Sequence, residues 1–263
     1  MAAHTTMCKQ LSALGVKPGG FLLVHSSYKS LGSGVQGPKQ VIETLRAALG
    51  ESGTLVFPTL SYKAVSVDKR IFHIKDTPSD VGAISEYFRQ MPGVVRSLHP
   101  THSCAAIGPG AADITANNHL DSTPVGKNSP FRKLKDYGGQ ILMLGCGLRP
   151  NTSMHGVEEL VQPPYLFRHG FTYACTGLDG VVKDLTIQRH HFENRHGDGV
   201  KQRYDRLKYL LPAGVLKTGK VLDATCHLIE AGPMWDIAEA VMREDPLFFV
   251  DCYADDAPEK SRA

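Results

Sequence analysis

Short apolar runs of about five residues alternate with amphipathic stretches through the first 160 residues, and this alternation most constrains the fold. Phe21 to His25 (FLLVH) follows Pro18-Gly19-Gly20 and reads as a buried strand. Pro38 to Leu49 reads as a helix, with Val41, Ile42, Leu45 and Leu49 on one face and Gly50 at its end. Thr54 to Phe57 is a second strand closed by Pro58. Pro78 to Met91 is a second helix, opened by Pro-Ser-Asp and closed by Pro92-Gly93. Ser103 to Ile107 and Gln140 to Leu144 are further strands, and Asn151 to Leu160 is a short helix with Asn151, Thr152 and Ser153 as candidate caps. Strands alternating with helices predict an α/β sheet whose working loops lie at the strand ends.

The last hundred residues read differently. Phe171 to Cys175 and Val181 to Gln188 flank Gly177-Leu178-Asp179-Gly180, a hairpin signal. A polar helix is expected from Val200 to Leu211, then a strand near Val221 and a helix through Trp235 to Met242. The expected fold is α/β, a mixed central sheet flanked by helices with an antiparallel C-terminal extension. Residues 1–165 form the core, and 166–263 an antiparallel and helical lobe completing the same unit.

Composition narrows the partners. With 29 Lys and Arg against 26 Asp and Glu, the net charge of +3 lacks the concentrated basic face that nucleic acid requires, and it does not point to a membrane surface. No apolar run approaches the roughly 20 residues needed to cross a bilayer, and MAAHTTMCKQ has no apolar leader segment. The six cysteines, at positions 8, 104, 146, 175, 226 and 252, contain no Cys-x-x-Cys and are expected as reduced thiols of a cytoplasmic protein. A homodimer is left open. The 12 histidines matter more, because His is the side chain that most readily serves as a base near neutral pH.

Four constellations carry chemistry. Gly32 to Gly37 fits G-x-G-x-x-G, but the seven residues His25 to Leu31 precede it after the apolar run and no carboxylate ends the next strand, which argues against a dinucleotide site. Ser26, Ser27, Ser30, Leu31 and Gly32 nevertheless form a small-residue loop between strand and helix, where backbone N–H groups can approach an anion or a carbonyl. An ordinary flexible loop would use the same residues. The second constellation, Arg96 to Ser103 (RSLHPTHS), would serve phosphate binding or a buried polar network. The third is His155 with Glu158: spacing i,i+3 puts carboxylate and imidazole on one helix face, where the carboxylate can fix the tautomer and leave a basic nitrogen. The positive end of the helix dipole disfavours imidazolium there. The fourth, His190, His191 and His196 near Glu193 and Asp198, has no metal-ligand spacing and reads as a solvated polar segment; no metal is expected. Asp80 and Glu86 on the second helix would suit a cationic ligand at a pocket mouth.

In order, VHSSYKSLG, FPT, TPSDVGAISEYFRQMPGVVRSLHPTHSCAAIGPGA, NSPFRKL, QILMLGCG and NTSMHGVEEL resemble the aminoglycoside N3-acetyltransferase family, the antibiotic acetyltransferases unrelated in fold to the GNAT enzymes. The resemblance runs from about residue 10 to residue 245 and weakens after 170. It implies acetyl-CoA-dependent transfer to a small-molecule amine, usually the 3-amino group of a 2-deoxystreptamine ring. It also implies that residues 1–165 bind the coenzyme and carry catalysis, with His155 as general base and Glu158 as its partner. Ser26, Ser27, Leu31, Gly32, Arg96 and Ser97 are implied at the coenzyme groove, and Tyr62, Asp80 and Asp121 are expected to meet the acceptor.

The chemistry agrees: an amine attacks a thioester only with a free lone pair, so a neutral imidazole suits the proton removal, and direct transfer needs no covalent intermediate. Donors for the oxyanion are expected from the serine-rich loop or Ser103. One stretch departs from the family pattern: residues 61–80 are short and basic, with Lys63, Lys69, Arg70 and Lys75, and the single Trp is Trp235. Another amine metabolite as acceptor, or coenzyme binding without catalysis, are the alternatives.

Overall fold

The computed structural model describes residues 2–193 and 199–251. It begins with a helix absent from the expectations above, α1 (Ala2–Leu14), whose Met7, Leu11 and Leu14 recur at helical spacing and are buried. There follow β1 (Phe21–Ser26), α2 (Pro38–Leu49), β2 (Thr54–Pro58), β3 (Ile71–His73), α3 (Ala83–Arg89), β4 (Val95–Arg96) and β5 (Cys104–Ile107). The chain continues through α4 (Ala111–Thr115), α5 (Pro130–Asp136), β6 (Gln140–Leu144) and α6 (Ser153–Val161). Then come β7 (Phe167–Thr176), β8 (Val182–His190), β9 (Lys201–Gln202), α7 (Leu207–Leu210), β10 (Leu216–Val221), β11 (Ala224–Glu230), α8 (Ala231–Glu244) and β12 (Val250–Asp251).

The central sheet has seven strands in the order β10-β11-β6-β1-β2-β5-β4. Its middle, β6-β1-β2, is parallel, and the flanking pairs are antiparallel. Register puts Ser26 opposite Leu144 and Phe21 opposite Thr54, so the C-terminal ends of the parallel strands meet at one edge. The middle strands are buried on both faces, which is why they read as continuous apolar runs. Leu23, Ile141 and Met143 point to one layer with Phe131, Met154, Val157 and Trp235. Leu22, Val24, Leu142 and Leu144 point to the other with Leu11, Val41, Leu45 and Phe88. Helices on both faces complete a three-layer α/β fold. The expected hairpin is the β7–β8 pair, and β3 joins it in a separate three-stranded sheet.

Two expectations shift. Residues 78–82 are not helical: Gly82 takes φ +106, a backbone region that favours glycine, and α3 starts only after it. Residues 200–211 are not one helix but a two-residue strand, a 3₁₀ turn (Tyr204–Arg206) and the single turn α7. The amide of Arg203 donates to the Phe249 carbonyl and Tyr204 is buried, so tertiary anchoring overrides the helical spacing. Gly156 sets the approach of α6 to α8: a Cβ there would stand 2.2 Å from the Trp235 ring and 2.7 Å from Val125.

Candidate active site

A cavity of about 360 Å³ opens at the C-terminal edge of the parallel strands. Leu60 and Tyr62 follow β2, Thr101 and His102 precede β5, Arg149, Pro150, Thr152 and His155 follow β6, and Arg189, His190, Phe192, Gln202 and Tyr204 close the far side. A smaller cavity of about 110 Å³ reaches inward to His25, Ser26 and Cys146, and it shares Leu60, Val81, Pro150 and Thr152 with the larger one. The edge where three parallel strands end is where α/β sheets place their ligands.

The turn after β6 delivers α6 to this edge. The Asn151 side-chain oxygen accepts from the Ser153 amide at 3.2 Å, which orders the first turn. His155 is 15% exposed and Glu158, one turn later on the same face, is fully buried. His155 Nδ1 lies 3.2 Å from Glu158 Oε2 and 2.8 Å from the Tyr204 hydroxyl. Tyr204 donates to Glu158 Oε2 at 2.7 Å, and Tyr165 donates to Oε1 at 3.0 Å. Burial beside Glu158 holds the Tyr204 phenol well above its usual range, so it keeps its proton. With that proton spent on Glu158, Tyr204 can only accept from His155. Nδ1 is therefore the protonated nitrogen, and Nε2 is left as the basic one.

The surrounding imidazoles are neutral. Burial pushes His25 down to about 3 and His99 down to about 4, the nearby imidazoles adding to the effect, and it drives His102 and His190 well below the ordinary histidine value. His102, His155 and His190 form a triangle with ring centroids 5.2 to 6.2 Å apart. His99 accepts from the amides of Thr101 and His102 at Nδ1 and meets the Thr123 carbonyl through Nε2, so it braces the loop and has no nitrogen left for the cavity.

Of the residues singled out in sequence, the structure brings His155, Glu158, Tyr62 and Ser26 to the two cavities or their walls. Ser27 lies in the loop beyond, where its hydroxyl accepts from Ser30 at 2.8 Å. Leu31 is in the core, and Gly32 packs on Asp223 with φ +82. Arg96 lies outside both cavities, its guanidinium spent on Thr59, Ser103 and the carbonyls of Ile74, Thr77 and Thr59, with Phe72 beneath it. Ser97 donates to Asn118 and accepts from the Cys104 amide. Asp80 accepts from the amides of Lys63 and Ala64, and Asp121 from Asn118 and Asn128. Glu86 pairs with Arg89. Ser103 gives its hydroxyl to the Thr59 carbonyl and has no free proton for an oxyanion.

One expectation is overturned. His190 is not solvated: its side chain is 4% exposed, and Nε2 lies 2.7 Å from Glu159 Oε1. His196 and Asp198 lie outside the described residues, as does Cys252. Sequence reasoning also missed Tyr165, Tyr204, Arg149 and Arg189, which reach the site from separate segments and leave no local spacing signal. None of Lys63, Lys69, Arg70 and Lys75 lines the cavity. Burial pushes the Cys146 thiol up to about 12, so it is no ready nucleophile. Among the described residues no group of three His, Cys, Asp or Glu is placed to hold a metal ion, and no helix is long and apolar enough to cross a membrane.

A cavity walled by His102, His155 and His190, with Nδ1 of His155 held by a carboxylate and a phenol and its Nε2 left without such a partner, can remove a proton from a nucleophile. Comparison with known proteins identifies the family. The family model described as aminoglycoside 3-N-acetyltransferase matches residues 23–243. Aminoglycoside N(3)-acetyltransferase IV of Salmonella sp is 36% identical over 244 residues, 92% of this chain and 87% of that protein. Aminoglycoside N(3)-acetyltransferase VII of Streptomyces paromomycinus is 32% identical, over 92% of this chain and 91% of that one. The crystal structure of aminoglycoside acetyltransferase AAC(3)-IVa as apoenzyme superposes with a TM-score of 0.77 at 32% identity, over 94% of this chain and 90% of that chain. A histidine-to-alanine variant of the same protein in complex with a gentamicin superposes with a TM-score of 0.77 at 33% identity, over 93% of this chain and 90% of that chain.

Proposed function

The chain belongs to the aminoglycoside 3-N-acetyltransferase family, a family of acyltransferases, and we propose that it transfers the acetyl group of acetyl-CoA to the 3-amino group of an aminoglycoside, with His155 as general base. The observation that carries this reading is the Glu158–Tyr204 clamp on His155 Nδ1, which leaves Nε2 as the lone-pair nitrogen of a ring lining the cavity. The complex of a relative with a gentamicin supports the acceptor class.

The thioester carbonyl of the coenzyme is presented beside Thr152, where the two cavities join and Ser26 and Cys146 line the smaller one. Of the residues implied for the coenzyme, Ser26 lines the smaller cavity, which supports this reading. The amine attacks the carbonyl carbon, and His155 Nε2 takes the proton. The positive charge that develops on the ring is stabilised by Glu158 through Nδ1–H. Collapse of the tetrahedral intermediate breaks the C–S bond, and the coenzyme sulfur recovers the proton from His155. The raised Cys146 thiol supports this direct transfer over an acyl-cysteine intermediate.

Arg149 and Arg189 in the wall, and no carboxylate side chain among the described lining residues, favour a second reading: an acceptor amine that also carries an anionic group. Thiol release from acetyl-CoA tests both, with aminoglycosides in one panel and anionic amines in the other and product masses compared. A gain of one acetyl group on a 2-deoxystreptamine drug supports the first reading, and turnover confined to the anionic panel replaces it with the second.

A further inference from the structure

Glu158 and Glu159 are consecutive on α6, about 100° apart around its axis, and they serve two different histidines. Glu158 faces His155, Tyr165 and Tyr204, as described. Glu159 turns the other way: Oε2 accepts from the Thr123 hydroxyl at 2.6 Å, and Oε1 accepts from the Val125 amide at 2.7 Å and faces His190 Nε2 at 2.7 Å. Where Glu159 is ionised it needs a donor at Nε2, so the lone pair of His190 is then at Nδ1. That nitrogen is buried and has no hydrogen-bond partner among the described residues, although His190 lines the cavity 5.2 Å, ring to ring, from His155. An unpartnered buried acceptor in a cavity wall calls for a ligand donor.

The acetyl transfer supplies one. An alkyl amine arrives as ammonium, and two protons must leave its nitrogen before the amide is complete, whereas the departing coenzyme sulfur takes up only one. Resting on the acetyltransferase reading above, we propose that His190 and Glu159 form a second proton-accepting dyad that takes the first proton from the bound ammonium, leaving His155 and Glu158 to take the second during attack. The ammonium N–H bond breaks and an Nδ1–H bond forms on His190. The His190 Nε2–H bond breaks in concert, and its proton passes to Glu159 Oε1. The ring is then neutral in its other tautomer, the amine is neutral and the carboxylate has become a carboxyl; once product has left, the Nδ1 proton passes to water and the Glu159 proton returns to Nε2, which restores the starting tautomer. No buried imidazolium is created, which suits a ring that burial keeps uncharged.

The groups facing the dyad fit this task. Burial pushes the Glu159 carboxyl up to about 7, against the opposing pull of its hydrogen bonds and of His155 and Arg132, which makes it a proton acceptor matched to neutral pH. His102 and His99 face it from the loop before β5, His155 and Glu158 from α6, Arg132 from α5, Asp121 from the loop before α5, and Arg189 from β8. Arg149 and Arg189 in the wall disfavour an ammonium beside them and so ease its first deprotonation.

Two measurements on the full chain decide the matter. The first needs no turnover: in an infrared pH titration, a protonated-carboxyl band grows as the pH falls through about 7 and is missing from Glu159→Gln. The second compares kcat/KM for a 2-deoxystreptamine aminoglycoside across pH. Glu159→Gln and His190→Gln fall about a hundredfold below the parent near neutral pH and recover toward it above the amine's own pKa, roughly 10 for an alkyl amine, where the acceptor is already neutral. His155→Ala stays impaired throughout. A defect that is the same at every pH, or no defect, overturns the proposal, and so does a parent protein with no carboxyl titrating near neutrality. If the parent acetylates no aminoglycoside, the acetyltransferase reading fails on its own, and the infrared titration still decides the dyad.

Discussion

Tyr204 donates its hydroxyl to Glu158 at 2.7 Å and presents its oxygen lone pair to His155 Nδ1 at 2.8 Å. One phenol thus fixes both the charge partner and the tautomer of the proposed base. Tyr204→Phe removes one acceptor from Nδ1–H and one donor from a buried carboxylate. Turnover should fall about tenfold with coenzyme affinity unchanged, and stability should drop by about 1–3 kcal/mol, the cost of an unsatisfied buried group. Steady-state kinetics beside thermal melting would check this, and unchanged kcat would remove Tyr204 from the mechanism.

Glu158→Gln should cost more than its change in shape suggests. The amide can present an N–H to Nδ1, which draws the proton onto Nε2 and blocks the base. We expect kcat to fall by about 10²–10⁴ with the fold intact. Nitrogen-15 spectra of the histidines would report the exchanged tautomer directly. A fully active variant carrying the native tautomer would refute the clamp.

Acid should unfold this protein early. His25 and His99, ordinarily near 6.5, are held down to about 3 and about 4 in the fold. The unfolded chain therefore binds protons that the folded one refuses. Their contribution is complete above pH 6.5 and is lost as the pH falls toward 4, at about 1.4 kcal/mol per unit for each group. Glu159, raised from 4.5 to about 7, works in the opposite sense, gaining stability as the pH falls through that window, but it is one group against at least two. Urea midpoints measured on either side of pH 6.5 should drop on the acid side, and His25→Gln should flatten the slope. A midpoint that rises on acidification would contradict the sign.

Gly156→Ala should damage both stability and turnover. The new methyl would meet the Trp235 ring at 2.2 Å, and α6 must shift to relieve it. Overpacking of this kind costs about 1–3 kcal/mol. Because α6 carries His155, Glu158 and Glu159, kcat should fall further than the loss of stability alone accounts for. Melting and kinetics on one preparation would separate the two effects.

Arg96 offers a test of what the family resemblance implies for the coenzyme groove. Its guanidinium ties β4 to the end of β2, the Ile74–Thr77 turn and the Phe72 ring. Arg96→Lys cannot reproduce that fork and should lower stability by about 2 kcal/mol. Coenzyme Kd by calorimetry should stay at the parent value. A weakened Kd in a folded variant would assign Arg96 to coenzyme binding.

The alternation of apolar runs was enough to read the central layer, because strands buried on both faces are apolar through their middles, with His25, Thr54 and Gln140 only toward their ends. The pair His155 and Glu158 was legible for a related reason: a helix brings positions i and i+3 together whatever the rest of the chain does. Residues 200–211 misled because Tyr204, Leu207 and Leu211 do recur at helical spacing, yet their burial comes from docking under α6 and against Phe249 rather than from a continuous helix. His190 misled in the opposite direction. Next to His191 and a run of polar residues it looked solvated, and only Glu159, 31 positions earlier, reveals why it is buried. Tyr204, Arg149 and Arg189 have no counterpart in local pattern, since each matters for what it meets in space.

The partner that sets the tautomer of His155 lies 49 residues further along the chain. A ribosome therefore releases α6, with histidine and carboxylate already in place, well before the phenol that completes the arrangement has been made. Synthesis therefore assembles the site in two stages, the helical pair first and the phenol that steadies it only once the C-terminal third has emerged.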